Sequence, residues 1–411
     1  MDAVTPSHPD RKDVLSRVQV IVGDSNVLAS VQPWRPFDER VIEFLVDLSR
    51  AIIADPSSRR FPDLISLAYW CRKSSLSAMK AMHTTTNLLL GRGVVFHLPP
   101  SNVPLNSAYS LICGLLSGNA NVVRFSSTES QELDMLVEHL RETLGDTKHT
   151  HMSGRICLLR YEHDDEVTSY FSALADARVI WGGDQTVSHI RSIPAKPRTV
   201  DVAFADRVSV ALLKADAVEC LDDESLLQLA TSFYVDSDTF GQNACSSPRL
   251  VIWHGPNRDE RQSRERFWRA VERVAGERNS IEDINFVNRL VELCEKLAVS
   301  DVISGLEGVG SPAVRLVLAD ASCWEETSDL RFGTFSETMI ESLHSLGELL
   351  DHKTQTISHF GYQPDEIRST ISDIGLKGVD RIVPMGQALN FDLVWDGYDL
   401  IGFLSRNVVV R

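Results

Sequence analysis

The chain has 411 residues, 43% of them hydrophobic and 24% charged, and its 57 acidic side chains outnumber 41 basic ones for a net charge of −16. That length calls for two or three domains, or one large α/β unit with an added lobe, and the composition is that of an ordinary soluble globular protein. The acidic excess excludes a nucleic-acid binder, which needs clustered Lys and Arg, and no apolar run reaches the ~18 residues of a membrane span.

Residues 1–36 read as an irregular arm punctuated by Pro6, Pro9, Pro33 and Pro36. The stretch Met1 to Asp13 is polar, so no secretory leader is expected. Val41, Ile42, Phe44, Leu45, Leu48 and Ile52 recur at helical spacing and predict a helix from Asp38 to Ile53. A second helix is predicted from Asp63 to Met82, and the pair is expected to form an outer layer.

A βα rhythm follows. Strands are predicted at Gly93–Leu98, Ala120–Phe125, Arg155–Arg160 and Ala177–Trp181, with helices at Leu105–Leu116, Glu129–Leu144, Asp164–Ala175 and Gln185–Ile193. Such alternation predicts a doubly wound parallel sheet, whose ligands bind outside the carboxyl ends of the strands. A second α/β lobe is expected beyond it, with strands at Val208–Leu213, Leu250–Trp253 and Val314–Leu318 and helices at Leu221–Phe233, Asp259–Val274 and Ile281–Leu297. Arg258, Arg261, Arg264, Arg266, Arg269 and Arg273 alternate with acidic residues, the pattern of a solvated helix face. The expected division is an arm and helix over 1–60, a nucleotide-binding domain over 61–205, a catalytic domain over 206–335, and a return to the first domain with a C-terminal arm over 336–411. No internal repeat is visible.

Seven cysteines are scattered with no Cys-x-x-Cys pair, which fits reduced thiols in a cytoplasm, and no metal-ligand spacing appears among Cys and His. Cys245 stands apart. It follows Gln242, Asn243 and Ala244, precedes Ser246, Ser247 and Pro248, and so lies on a loop feeding the strand Leu250–Trp253. Composition alone leaves an inert thiol open.

Three strand ends add polar groups. Asn102, in Pro99-Pro-Ser-Asn-Val-Pro104, offers a side-chain amide donor, or merely shapes a turn. Arg124, followed by Ser126 and Ser127, suits a phosphate or ribose, or is a surface cation before a capped helix. Gly182 and Gly183 let a backbone approach a ligand at a helix start, or form a plain βα turn. Together the four imply a dinucleotide held beside a thiol nucleophile.

His97-Leu-Pro-Pro-Ser-Asn-Val-Pro104, Leu115–Asn119 through Arg124, Trp181-Gly-Gly-Asp184, Gln242-Asn-Ala-Cys-Ser-Ser-Pro248 and Arg381-Ile-Val-Pro with Trp395-Asp-Gly397 resemble the acyl-CoA reductase (LuxC-like) family. More remotely the chain is similar to the aldehyde dehydrogenase superfamily. The resemblance spans about residues 60 to 410 and implies an aldehyde dehydrogenase-like α/β fold and NADPH-dependent reduction of an acyl thioester to an aldehyde. It implies that Cys245 forms the acyl-enzyme, that Asn102 helps hold the oxyanion, and that Arg124, Ser126, Ser127, Gly182 and Gly183 bind the nucleotide.

Two departures sharpen this reading. Where hydrolytic members carry a general-base Glu, this chain has Val208–Lys214 without a carboxylate, which favours hydride over water as acceptor of the acyl group. Where NAD-preferring members carry a Glu it has Ser127, which removes repulsion against a 2′-phosphate and favours NADPH. The ribose-binding Glu of a Glu-x-Phe-Gly-Pro turn has only a loose counterpart in Leu330-Arg-Phe-Gly-Thr334. An acyl-transfer subunit, and a hydrolytic dehydrogenase using Asp206 or Asp238, are the competing readings. The superfamily forms dimers or tetramers, so the resemblance also implies a homo-oligomer. The acyl donor stays open between CoA, a carrier protein and an acyl-activating partner enzyme.

Overall fold

The structure is a computed structural model that describes residues 11–24, 30–83, 87–100, 103, 105–125, 130–255, 261–278, 283–308 and 310–411. It divides into two compact units, Met1–Ala205 with Asp392–Arg411, and Asp206–Phe391.

The first unit begins with α1 (Arg11–Ser16) and β1 (Gln19–Val22), so the stretch expected to be an irregular arm contains regular structure. β1 adds to a sheet edge that only the folded chain supplies. Then come α2 (Glu39–Ala54), α3 (Pro62–Trp70) and α4 (Lys73–Met82). The single helix expected over 63–82 is thus two, because Arg72 turns extended at φ −64° and ψ 150°. β2 (Leu88–Gly91), β3 (Val94–Leu98), α5 (Asn106–Leu116), β4 (Ala120–Arg124), α6 (Gln131–Gly145), β5 (Ile156–Arg160), α7 (Asp165–Leu174), β6 (Ala177–Trp181), α8 (Asp184–Ser192) and β7 (Val200–Phe204) complete the βα run. Side chains of Asp38, Ser130 and Asp164 accept from the first-turn N–H groups of α2, α6 and α7, which is why these helices start where they do.

The first sheet runs β1-β5-β4-β3-β6-β7, parallel except for β1. From β3 the chain winds outward through β4 and β5, then reverses to β6 and β7. The reversal opens a crevice at the carboxyl ends of β3 and β6.

The second unit contains β8 (Val208–Lys214), α9 (Ala215–Glu219), α10 (Asp223–Asp238), β9 (Pro248–His254), α11 (Arg261–Glu277), α12 (Asp283–Val299), β10 (Ile303–Glu307), β11 (Val314–Leu318), β12 (Thr334–Ile340), α13 (Leu346–Leu349), β13 (Thr354–Phe360), α14 (Pro364–Ile374) and β14 (Arg381–Pro384). Its sheet runs β10-β11-β12-β9-β8-β13-β14, parallel except for β10. Its core order, β12-β9-β8-β13-β14, repeats the winding of the first unit. The sequence carries no sign of this repetition.

The expected return to the first unit at residue 336 is corrected to Asp392: β12, β13 and β14 belong to the second sheet. The final segment holds β15 (Val394–Trp395), β16 (Tyr398–Asp399), α15 (Leu400–Phe403) and β17 (Ser405–Val408), and β17 pairs antiparallel with β2.

Phe233, Trp253, Phe267, Trp268 and Phe335 form an aromatic core with centroids 5.1 to 5.7 Å apart. Glu337 lies buried at its edge, accepting from the indoles of Trp253 (2.6 Å) and Trp268 (2.7 Å) and from Arg264 (2.5 Å). Arg264 therefore departs from the solvated face expected of the arginine-rich helix.

Asp236 of α10 docks the segment after β14 by accepting from Gly386 N (2.6 Å) and Ala388 N (2.8 Å). Burial pushes its carboxyl up from 3.8 to about 6, against the two N–H donors that favour the charge. A raised folded value means the native state holds a proton that the unfolded chain has lost, so this group's contribution to stability falls as pH rises from about 4 to about 6. Urea unfolding across that window should show a loss of roughly 2–3 kcal/mol in the wild type that is missing in Asp236→Asn.

Candidate active site

The loop carrying Cys245 joins α10 to β9 and lies at the amino end of the second sheet, not at the carboxyl end where ligands of such sheets usually sit. Gly241 and Gln242 reverse the chain with φ of 55° and 59°. A Cβ on Gly241 would come within 3.1 Å of the Phe332 ring, so glycine is required there for space as well as conformation.

Gln242 is fully buried and uses its whole carboxamide. Its Nε2 donates to Pro248 O (3.2 Å) and Thr334 O (3.0 Å), and its Oε1 accepts from Gly333 N (2.7 Å) and Thr334 N (3.2 Å). Arg331 donates to Asn243 Oδ1 at 2.6 Å. The loosely matched Leu330–Thr334 segment is thus the wall against which the cysteine loop is locked.

The other side of the loop is held by β8 and β13. Ser209 Oγ donates to Cys245 O at 2.7 Å and accepts from Thr356 N at 3.2 Å. Gln355 Nε2 donates to Cys245 Sγ at 3.3 Å. The ladder is irregular on both sides, between Ser209 and Val210 opposite β9 and between Thr354 and Ile357 opposite β8. Such bulges re-aim side chains, and these admit Arg249 and Gln355.

Arg249 is mostly buried, and its guanidinium donates to Ser328 O, Leu330 O and Gln242 O. Burial, then the charge of Arg331, lowers it to about 10, while Asp206 and the Cys245 sulfur favour its charge. Asp206 therefore acts on Arg249, and Asp238 on Arg289. β8 carries no carboxylate, as the sequence predicts.

Cys245 is half-exposed, whereas Cys71 and Cys157 are buried with thiols pushed up to about 12, and Cys113 is buried and pushed up as well. Those three are inert packing groups.

In the first unit, Arg124 ends β4 and Gly182–Gly183 follow β6, on the two strands that flank β3. Gly182 has φ 157°, and Gly183 starts α8 with no side-chain cap and open space where a Cβ would stand. Arg124 donates to Tyr161 O (3.4 Å), meets His163 Nδ1 at 3.0 Å and lies 4.7 Å over the Tyr161 ring. Its Nε is buried and makes no hydrogen bond among the described residues. His97, between Ser110 Oγ (2.7 Å) and Asn121 Oδ1 (3.0 Å), is lowered to about 4 by burial and stays neutral. Asn102, Ser126 and Ser127 lie outside the described residues.

Two doubly wound units and a loop-borne thiol define the class, an aldehyde dehydrogenase-like fold. The chain is similar to the lactaldehyde dehydrogenase of Escherichia coli, with a TM-score of 0.64 over 94% of this chain and 88% of that one at 14% identity. It is similar to an NAD-dependent benzaldehyde dehydrogenase from Corynebacterium glutamicum, with a TM-score of 0.60 over 90% and 83% at 17% identity.

The family model for acyl-CoA reductase (LuxC) matches residues 60–276, and the chain belongs to that family. The long-chain acyl-protein thioester reductase of Vibrio harveyi is 23% identical over 301 residues, which span 72% of this chain and 59% of that protein. Its counterpart in Aliivibrio fischeri is 24% identical over 169 residues, 40% and 33% of the two chains. The match therefore spans less than two thirds of either relative. No helix among the described residues is long and apolar enough to cross a membrane.

Replacing Gln242 by alanine leaves several buried backbone groups unpaired, each costing about 1–3 kcal/mol. Gln242→Ala should unfold several degrees earlier by calorimetry, and its Cys245 should lose selective alkylation.

Proposed function

We propose that the protein reduces a long-chain acyl thioester to the aldehyde through an acyl-enzyme on Cys245, with NADPH as reductant. The observation that carries this is the environment of Cys245: a half-exposed sulfur, its own carbonyl pinned by Ser209, with an amide N–H on Sγ and the Arg249 cation nearby. Both groups stabilise negative charge on sulfur, the form that attacks.

The sulfur adds to the thioester carbonyl, and Asn102 donates to the oxyanion. The tetrahedral adduct collapses with loss of the CoA or pantetheine thiolate, leaving acyl-Cys245. A nicotinamide cofactor, bound, supplies the hydride that takes this ester to the aldehyde level. Breaking the thiohemiacetal C–S bond then frees aldehyde and thiolate.

The first unit fits such a cofactor as the nucleotide-binding domain, and the second is the catalytic domain. The uncapped start of α8 at Gly182–Gly183 suits a pyrophosphate, and the half-satisfied Arg124, with Ser126 and Ser127, suits the ribose phosphate. The names of the relatives support a long acyl chain on a protein as donor. A partner that activates or presents the acyl group, a homo-oligomer and a cytoplasmic setting belong to the same reading. All seven cysteines being free thiols supports the last.

NADPH consumption on a panel of acyl thioesters, with aldehyde trapped by hydrazine, tests it. Wild type should consume NADPH and yield aldehyde, Cys245→Ala should do neither, and Asn102→Ala should be about 10²–10³ slower. Stable acylation of Cys245 without NADPH loss would instead mean acyl transfer. Arg124→Ala should raise KM for NADPH about tenfold or more and leave that for NADH nearly unchanged.

A further inference from the structure

Gln355 lies on β13, outside the segment matched by the family model, yet it touches the reacting atom. Its side chain is fully buried and its main-chain carbonyl accepts from Asp380 N at 3.0 Å. The irregular register between Thr354 and Ile357 turns it out of the ladder toward the cysteine loop. Thr356 Oγ1 donates to Gln355 Oε1 at 3.3 Å, so the oxygen is engaged and the amide nitrogen is the end that faces sulfur. Thr356 N also holds Ser209, which in turn holds Cys245 O. Two successive residues of one bulge therefore set both the sulfur and the carbonyl of Cys245.

The chemistry of that neighbour matters. A carboxylate beside sulfur would repel its negative charge, and after acylation it would take a proton from water and hydrolyse the ester. A carboxamide donates to the anion and has no basic oxygen for water.

We propose that Gln355 is a catalytic donor to Cys245: its N–H holds the sulfur in the attacking, anionic form, and its lack of basicity keeps the acyl-enzyme from water until it is reduced. The second half rests on the acyl-thioester reading of the site.

The first test is alkylation of Cys245 by iodoacetamide from neutral to alkaline pH, followed on the Cys245 peptide by mass spectrometry because Cys220 and Cys294 are exposed too. It needs neither cofactor nor acyl substrate. Gln355→Met should move the midpoint of the profile up by about one pH unit, making alkylation roughly tenfold slower at neutral pH. Gln355→Glu should move it further, and decides the matter alone if the methionine variant does not fold. Folded variants with the wild-type midpoint overturn the donor role.

The second test loads an acyl-CoA without NADPH and follows release of free acid. Water attacks the acyl carbon, the C–S bond breaks, and the Gln355→Glu carboxylate takes the proton, so release should be at least tenfold faster than in wild type. Equal rates overturn the protection from water. Failure of every variant to acylate would overturn the reductase reading, while the alkylation profile still judges Gln355.

Discussion

The Gln242 carboxamide is the constraint on which the reactive loop depends. A residue in left-handed conformation needs compensation, and here it comes from four hydrogen bonds that leave the side chain no second arrangement. Those bonds tie the loop to the start of β9 and of β12 at once. Cys245, three residues on, inherits its position from them. Its sulfur is then within reach of β13 because β8 and β9 are held in one sheet.

The two units share a winding but use opposite ends of it. In the first, Arg124 and Gly182–Gly183 occupy the carboxyl edge at the point where strand order reverses. In the second, Ser209, Cys245, Thr334 and Gln355 gather at the amino edge. A carboxyl edge offers helix N-termini and their N–H groups, which suit phosphate. The amino edge of the second sheet offers the bulged starts of strands, where side chains are re-aimed onto one atom. Nucleotide binding and nucleophilic attack call for these different surroundings.

A thiol chosen for attack must also be protected. Burial solves half of this by silencing Cys71, Cys113 and Cys157, whose thiols are hard to ionise where water is absent. The other half is the exclusion of a carboxylate from β8 and the amide on β13. Arg249 contributes charge from behind the loop, and its own carbonyl partners keep it from moving onto the sulfur.

The sequence by itself determined the strong βα rhythm, because strands buried on both faces and amphipathic helices each leave a local periodic trace. It also singled out Cys245, since a thiol amid Gln, Asn and Ser cannot be read as core. β1, β12 and β13 left no such trace: they are short or rich in Thr, Ser and Gln, and become strands only by pairing with edges formed elsewhere in the chain. The domain boundary moved from 335 to 391 for that reason. Gln355 is 110 residues from Cys245 in the chain, and no local pattern links them. Only the tertiary structure decided that contact, because the order of strands in a sheet is set by packing between distant segments, and a bulge is visible only against the strand it faces.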